Sequence, residues 1–285
     1  MTAFAPETHR DLQLHVPRIS RMRRTLVVAI ALLAVPAARG DGLPVLNIDV
    51  SAKGVAAPGG TVRYVTVTPG DVTVVEAIAK RTGRILHSAY WQGKYTIPAV
   101  AYDATAGGLS ADRETLVLIA PREGFPRART QLLVLRTRTF RLVRRIDLAG
   151  DFSYDAISPN GSRIYLIQYT SKIDPTRYLV RSFDVRRGRL DTKPIVDPRD
   201  AAEKMRGNPM SRVTSADGRF AYTLYDGGGL HPFIHALDTR DATARCIDFD
   251  VPGGTNLWAA RLRLHGSKVV VVYHGAALYT LDTGV

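Results

Sequence analysis

The sequence predicts an all-β chain assembled from a repeated, four-stranded antiparallel unit. Three observations carry that expectation. The first is a tight turn that opens onto a buried strand, best seen in Ser158-Pro159-Asn160-Gly161-Ser162-Arg163 followed by Ile164-Tyr165-Leu166-Ile167. Proline presets φ, Asn-Gly tolerates left-handed backbone, and an unbroken β-branched, aromatic and aliphatic run suits a strand covered on both faces. The second is that this pattern recurs: Pro58 to Val65, Ser110 to Leu118, Ser215 to Tyr222 and His265 to Val272 repeat it. Aligned on Gly60, Arg113, Gly161, Gly218 and Gly266, the copies are 53, 48, 57 and 48 residues apart. The third is a later, Asp-led turn that ends an apolar run, at Asp184-Val185-Arg186-Arg187-Gly188, Asp238-Thr239-Arg240 and Asp282-Thr283-Gly284. Four strands in roughly 45–50 residues is the length of a β-propeller blade. The fold class expected is therefore a β-propeller of four-stranded blades, with five units visible.

The elements follow in chain order. Residues 1–40 read as a secretory signal peptide. Arg21-Met22-Arg23-Arg24 is the basic segment, Leu26 to Val35 the apolar one, and Ala38-Arg39-Gly40 the small-residue cleavage region. Met22 gives a basic segment of ordinary length and is the expected start. Residues 41–285 form a single propeller domain, because no linker or low-complexity tract divides them. Leu43 to Val50 resembles Ile97 to Ala104 in spacing, and both are expected as outer strands leading into small-residue inner strands at Gly54–Ala57 and Gly107–Ser110. Phe152 to Ser158 plays the inner part in the third unit. The insert Pro194–Pro209 holds Asp197 to Met205, the one place where a helical turn is expected. The fifth unit ends on its third strand and turn. Either Leu43–Val50 supplies the missing strand and closes a five-bladed ring, or the chain is part of a larger propeller; closure is the reading favoured here.

The Ser158 to Ile167 stretch and the Asp-led turns resemble the repeats of YVTN-type, lactonase-like propellers and, more loosely, WD40 blades. The resemblance spans residues 44–285. It implies the fold, and it leaves open many activities, since propellers host unrelated ones.

Composition narrows the partners. Lys and Arg number 39 against 26 Asp and Glu, a formal charge of +13. Six Arg against Glu7 and Asp11 place +4 of it in residues 1–40, which leaves +9 for the remainder. The arginines are spread over every unit without interleaved aromatics, so a nucleic-acid partner is not expected. A secreted, periplasmic or cell-envelope monomer that binds a small molecule or protein is. The lone Cys246, in an apolar strand, reads as a small buried hydrophobe with no disulfide partner. No HExxH, nucleophile elbow, CxxC or P-loop occurs.

Function is expected on the rim with the longer loops, at the mouth of the central channel. Asp49, Asp103 and Asp155 enter inner strands there. Two readings stand: a carboxylate ring suited to a hard cation such as Ca²⁺, or acids that each pin their own turn, with no cofactor. Arg122, Arg127 and Arg177, with Tyr178 beside them, are candidates to clamp an anionic ligand. Asp226 and His231 complete the candidates. A lactonase-like or other hydrolase site would need Asp103, Asp155, Asp226 and His231 to converge on a pocket. His231 and His235 are four apart, about 13 Å along one strand, and do not share a metal.

Overall fold

Alternation and branching dictate short strands, and the described residues form seventeen of them. The computed structural model describes residues 48–175, 177–199, 207–229 and 231–284, all within one compact unit, Arg39–Val285. The signal-peptide and Met22 expectations, and residues 43–47, lie outside the described residues.

Among the described residues five antiparallel sheets follow one another along the chain; the first, second and fifth have three strands, not the four expected of each blade. The first holds β1 (Val62–Val67), β2 (Val72–Ala79) and β3 (Ile85–Gln92). The second holds β4 (Thr115–Ile119), β5 (Arg129–Arg136) and β6 (Leu142–Ala149). The third is four-stranded: β7 (Phe152–Ile157), β8 (Arg163–Tyr169), β9 (Tyr178–Asp184) and the two-residue β10 (Arg189–Leu190). The fourth has β11 (Pro209–Thr214), β12 (Phe220–Tyr225), β13 (Phe233–Asp238) and β14 (Thr243–Asp248). The fifth has β15 (Arg261–His265), β16 (Lys268–Tyr273) and β17 (Ala276–Asp282).

The repeated turn works through side chains. Its leading serine accepts from the amide that starts the next strand: Thr115 N to Ser110 Oγ at 3.0 Å, Arg163 N to Ser158 Oγ and Phe220 N to Ser215 Oγ, both at 2.9 Å. The Asp or Asn two residues on accepts the amide after the left-handed residue, as Asn160 Oδ1 does from Ser162 N at 3.1 Å. Arg113 takes the left-handed conformation of its glycine counterparts, φ 66° against 70° at Gly161. In the first copy the left-handed residue is Gly59, not Gly60, a one-residue shift from the sequence alignment. The Asp-led turns then tie back to the tight turns, Val185 N to Ser162 O at 3.0 Å and Thr239 N to Arg219 O at 2.7 Å. Both turn sets therefore form one short-turn rim, and the longer loops form the other.

Burial follows. All five residues of β4 are buried, because apolar sheets cover both its faces. Four apolar clusters join the first sheet to the second, the second to the third, the third to the fourth and the fourth to the fifth. Among the described residues no such cluster joins the fifth sheet to the first. Ile48–Val50 carry no strand, and Val50 packs into the cluster of the first two sheets.

Ile97–Ala104 differs from its expected outer-strand role. Thr96 bridges Ile119 and Leu109 bridges Leu116, so both lie on the inner side of β4. Between them, residues 98–107 leave the sheet as a small hairpin, closed by Val100 N to Thr105 O at 2.9 Å and Gly107 N to Pro98 O at 2.8 Å. Pro98 has no amide to continue the ladder, which favours the exit. Gly107 and Gly108 lie where a larger side chain would meet Tyr154 or the Val117 carbonyl, in line with the small inner residues expected. The hairpin tip reaches β11: Tyr102 N donates to Pro209 O at 2.8 Å, and Asp103 N to Met210 O at 3.2 Å. The expected helical turn falls on residues of which 200–206 lie outside those described; Asp197 does cap the local turn, accepting from Arg199 N at 2.9 Å. Among the described residues short 3₁₀ turns form at Gly227–Gly229 and Leu257–Ala259. No described helix is long and apolar enough to cross a membrane.

Candidate functional site

On the long-loop rim, the loops of the first three sheets surround a cleft of about 710 Å³. Its floor is aliphatic, with Ile97, Pro98 and Ile119. Its polar lining is Arg122, Arg127, Ser153, Asp49 and Lys94, among others. The Pro121–Arg129 loop between β4 and β5 supplies both arginines, and Asp151, at the entry to β7, holds them.

The geometry is a buried triad. Arg122 Nη2 lies 2.6 Å from Asp151 Oδ1, and its Nε lies 3.1 Å from both carboxylate oxygens. Arg127 Nε lies 3.3 Å from the same carboxylate, and the Arg127 amide donates to it at 3.1 Å. Side-chain exposures are 8%, 12% and 1% for Arg122, Arg127 and Asp151. Two guanidinium groups thus share one carboxylate and leave one net positive charge in a poorly solvated place. The strain shows in Arg127, whose pKa burial pushes down to about 10, helped by the Arg122 charge and opposed by Asp151. Arg127 also caps the Ala120 carbonyl at 2.7 Å and that of Phe152. Arg122 Nη2 reaches Ser153 Oγ at 3.0 Å, and its guanidinium lies 5.1 Å from the ring centre of Tyr169. Among the described residues Arg122 Nη1 has no hydrogen-bond partner, so its two N–H groups remain for a ligand.

Of the residues singled out in the sequence, the cleft gathers Asp49, Arg122 and Arg127. Asp49 bonds the Ser51 amide at 2.8 Å, and hydrogen bonding from Ser51 holds its pKa below the usual carboxylate range. Asp103 accepts from Ser211 Oγ at 2.6 Å and from Thr105. Asp155 is buried against Arg212, which also donates to the Asp155 carbonyl at 3.1 Å. Asp226 binds Asn208 through its amide and Nδ2, both at 2.7 Å. His231 meets Asp250 at 2.9 Å on the open surface, and Arg177 meets Asp174 at 3.2 Å. Tyr178 packs beside Tyr169, with its phenol pKa raised well above normal by burial. Asp103, Asp155 and Asp226 therefore all attach to residues 208–212, but to different groups. Among the described residues no three His, Cys, Asp or Glu side chains come together as a metal-holding group.

Sequence reasoning missed Asp151 and Ser153, which no local pattern marks. It also missed the neighbour of Cys246. Cross-strand register sets His235 opposite Cys246, with Nδ1 3.7 Å from Sγ, and the Cys246 amide donates to Asp197 at 2.9 Å. The half-buried thiol sits against an imidazole that a reading of residues near position 246 could not supply.

The sheets define the class of protein: a β-propeller-type chain, five antiparallel sheets packed face to face in sequence order. Comparison adds no family. No family model matches, and no curated protein matches. Solved structures similar in fold include hydrazine synthase of Kuenenia stuttgartiensis (15% identity, 80% of this chain and 70% of that one, TM-score 0.48). An uncharacterised protein of Listeria monocytogenes gives 10%, 76%, 56% and 0.44. The β-propeller domain of Cps50 (Swd1) from Myceliophteria thermophila gives 12%, 76%, 60% and 0.45. The chain spans 56% and 60% of the last two.

Proposed function

We propose that the chain is an exported, non-catalytic binding module of the YVTN-like propeller type, which takes a small organic anion in the long-loop cleft. The observation that carries this reading is the Arg122–Asp151–Arg127 triad. It leaves one uncompensated positive charge and the free Nη1 of Arg122 at the wall of a cleft whose floor is aliphatic. A carboxylate held by a guanidinium fork with its carbon chain on Ile97 and Ile119 matches that division. Binding is preferred to lactonase-like hydrolysis because Asp103, Asp155, Asp226 and His231 are each engaged by separate protein groups.

The test is thermal unfolding at low salt with succinate, citrate, gluconate and phosphate. A ligand at about a hundred times its Kd adds roughly 2.7 kcal/mol to the folded state. At least one organic acid should raise the midpoint of the wild type and leave Arg122→Gln unmoved, while phosphate, with no apolar part, does less. No shift with any acid, or an equal shift in Arg122→Gln, would remove the anion from this reading.

A further inference from the structure

The charge of the short-turn rim is divided unequally between its two halves. On the short-turn rim, the turns of the first three sheets (58–61, 79–85, 110–115, 136–142, 158–163 and 184–189) carry eleven Lys and Arg against Asp112, Glu114 and Asp184. The same rim on the fourth and fifth sheets (214–220, 238–243, 265–268 and 282–284) carries three against four. On this rim, whose regular turns otherwise look purely structural, the excess of positive charge therefore lies on the first three sheets.

Few of these cations are spoken for. Glu114 takes Arg136 at 3.3 Å and Asp184 takes Arg187 at 3.8 Å. Asp112 turns inward to Ser110 Oγ and the Glu114 amide. Arg81, Arg84, Arg138, Arg141 and Arg189 are exposed, and among the described residues none of them forms an ion pair with a carboxylate; Arg186, also exposed, acts on Asp184. Their turns are held together by backbone bonds. Each is bonded to its neighbouring tight turn, through Lys80 N to Thr61 O, Thr137 N to Glu114 O and Val185 N to Ser162 O, and Asp112 N to Pro159 O links the second sheet to the third.

Two further features select the partner. The only aromatic in these turns, Phe140, is 1% exposed, so no ring is offered for base stacking, and among the described residues the only helices are two three-residue 3₁₀ turns, too short to enter a groove. Directly after Arg84 and Arg141, however, aliphatic pairs stand open: Ile85 and Leu86 at 52% and 42%, Leu142 and Val143 at 39% and 40%. Cations gathered on bonded turns, with exposed aliphatic side chains beside them, fit the headgroup and upper acyl region of a bilayer. We infer that the short-turn rim of the first three sheets docks on a membrane surface rich in anionic phospholipid. The cleft, on the opposite rim, then faces away from that surface.

Sedimentation with vesicles tests this. The full chain should bind vesicles of 30:70 phosphatidylglycerol and phosphatidylcholine at 50 mM NaCl, and lose most binding on pure phosphatidylcholine or at 500 mM NaCl. Each neutralised arginine should cost roughly fivefold, so Arg138→Gln with Arg141→Gln lowers partitioning about 25-fold. Leu142→Ser should weaken binding at both salt concentrations, and Lys172→Gln on the far rim should change nothing. Unfolding midpoints within the wild-type range show that the surface variants fold. Equal binding to both vesicle types, wild-type binding by the double arginine variant, or tighter binding to duplex DNA at matched salt would each overturn the inference.

Discussion

At the scale of the residue, burial decides what charged and polar groups do. His235 is 3% exposed, in the face of the fourth sheet that also holds Thr223 and Arg212. Burial lowers its pKa to about 4; the Asp155 charge opposes the shift and the Arg212 charge adds to it. The sign is that of a histidine kept neutral by the fold. The unfolded chain binds its proton near pH 6.5 and the folded chain does not, so this stability is present above that pH and is lost as pH falls toward 4. Between pH 7 and pH 4.5 the loss from this group is roughly 2–3 kcal/mol. Urea unfolding of His235→Gln should therefore show a flatter fall over that range than the wild type by about that amount. Parallel pH curves would mean that His235 does not report its burial. Asp155 and Arg212 could be named from the sequence as a carboxylate and an arginine. That they neutralise each other could not.

At the scale of the element, the repeated turn is the most legible feature of the chain. Its bonds close within five residues, from serine to the strand-starting amide and from Asp or Asn two residues back, so local sequence specifies them. Even so, the first copy places its left-handed residue at Gly59, because Pro58 and two successive glycines allow either register. The turns predict an asymmetry. Gly161 holds φ 70°, and a methyl group there would land on the Thr115 side chain, so Gly161→Ala should cost more than about 2 kcal/mol. Arg113→Gly relieves a left-handed side chain but frees the unfolded backbone, and should shift stability by less than about 1 kcal/mol. Chemical denaturation of the two variants checks both values; equal losses would show that the turns are not alike. The hairpin 98–107 is the opposite case. Its residues resemble a strand in spacing, and only the competing pairing of Thr96 and Leu109 with β4 shows that they leave the sheet.

At the scale of the whole molecule, that hairpin is a tie between sheets that are not neighbours in sequence. Asp103 anchors it by accepting from Ser211, whose hydroxyl also accepts the Leu262 amide at 2.9 Å, while Tyr102 packs on Trp258. The second, fourth and fifth sheets thus meet at one carboxylate and one hydroxyl. Asp103→Ala leaves the Ser211 hydroxyl without its acceptor and should cost about 1–3 kcal/mol. Amide exchange should lose protection together in 100–107 and in β11, though these lie over a hundred positions apart. A loss confined to 103–105 would reduce Asp103 to a local turn former.

The sequence by itself determined the repeat, the short-turn rim and the opposite placement of the longer loops, since each rests on turn chemistry and side-chain patterns that act over a few residues. It also drew attention to Asp49, Arg122 and Arg127, which do line the cleft. Only the tertiary structure decided which charges are spent and which are open. Arg122 finds Asp151 29 positions away, Asp155 finds Arg212 57 away, and Asp103 finds Ser211 108 away. Such pairings depend on how successive sheets face one another, and an ion's partner, unlike a turn's, leaves no trace in neighbouring residues. The cations on the short turns could be counted in the sequence, but that these turns are bonded to one another could not. Along the chain the arginines are evenly spread, and folding brings every second turn to the same rim.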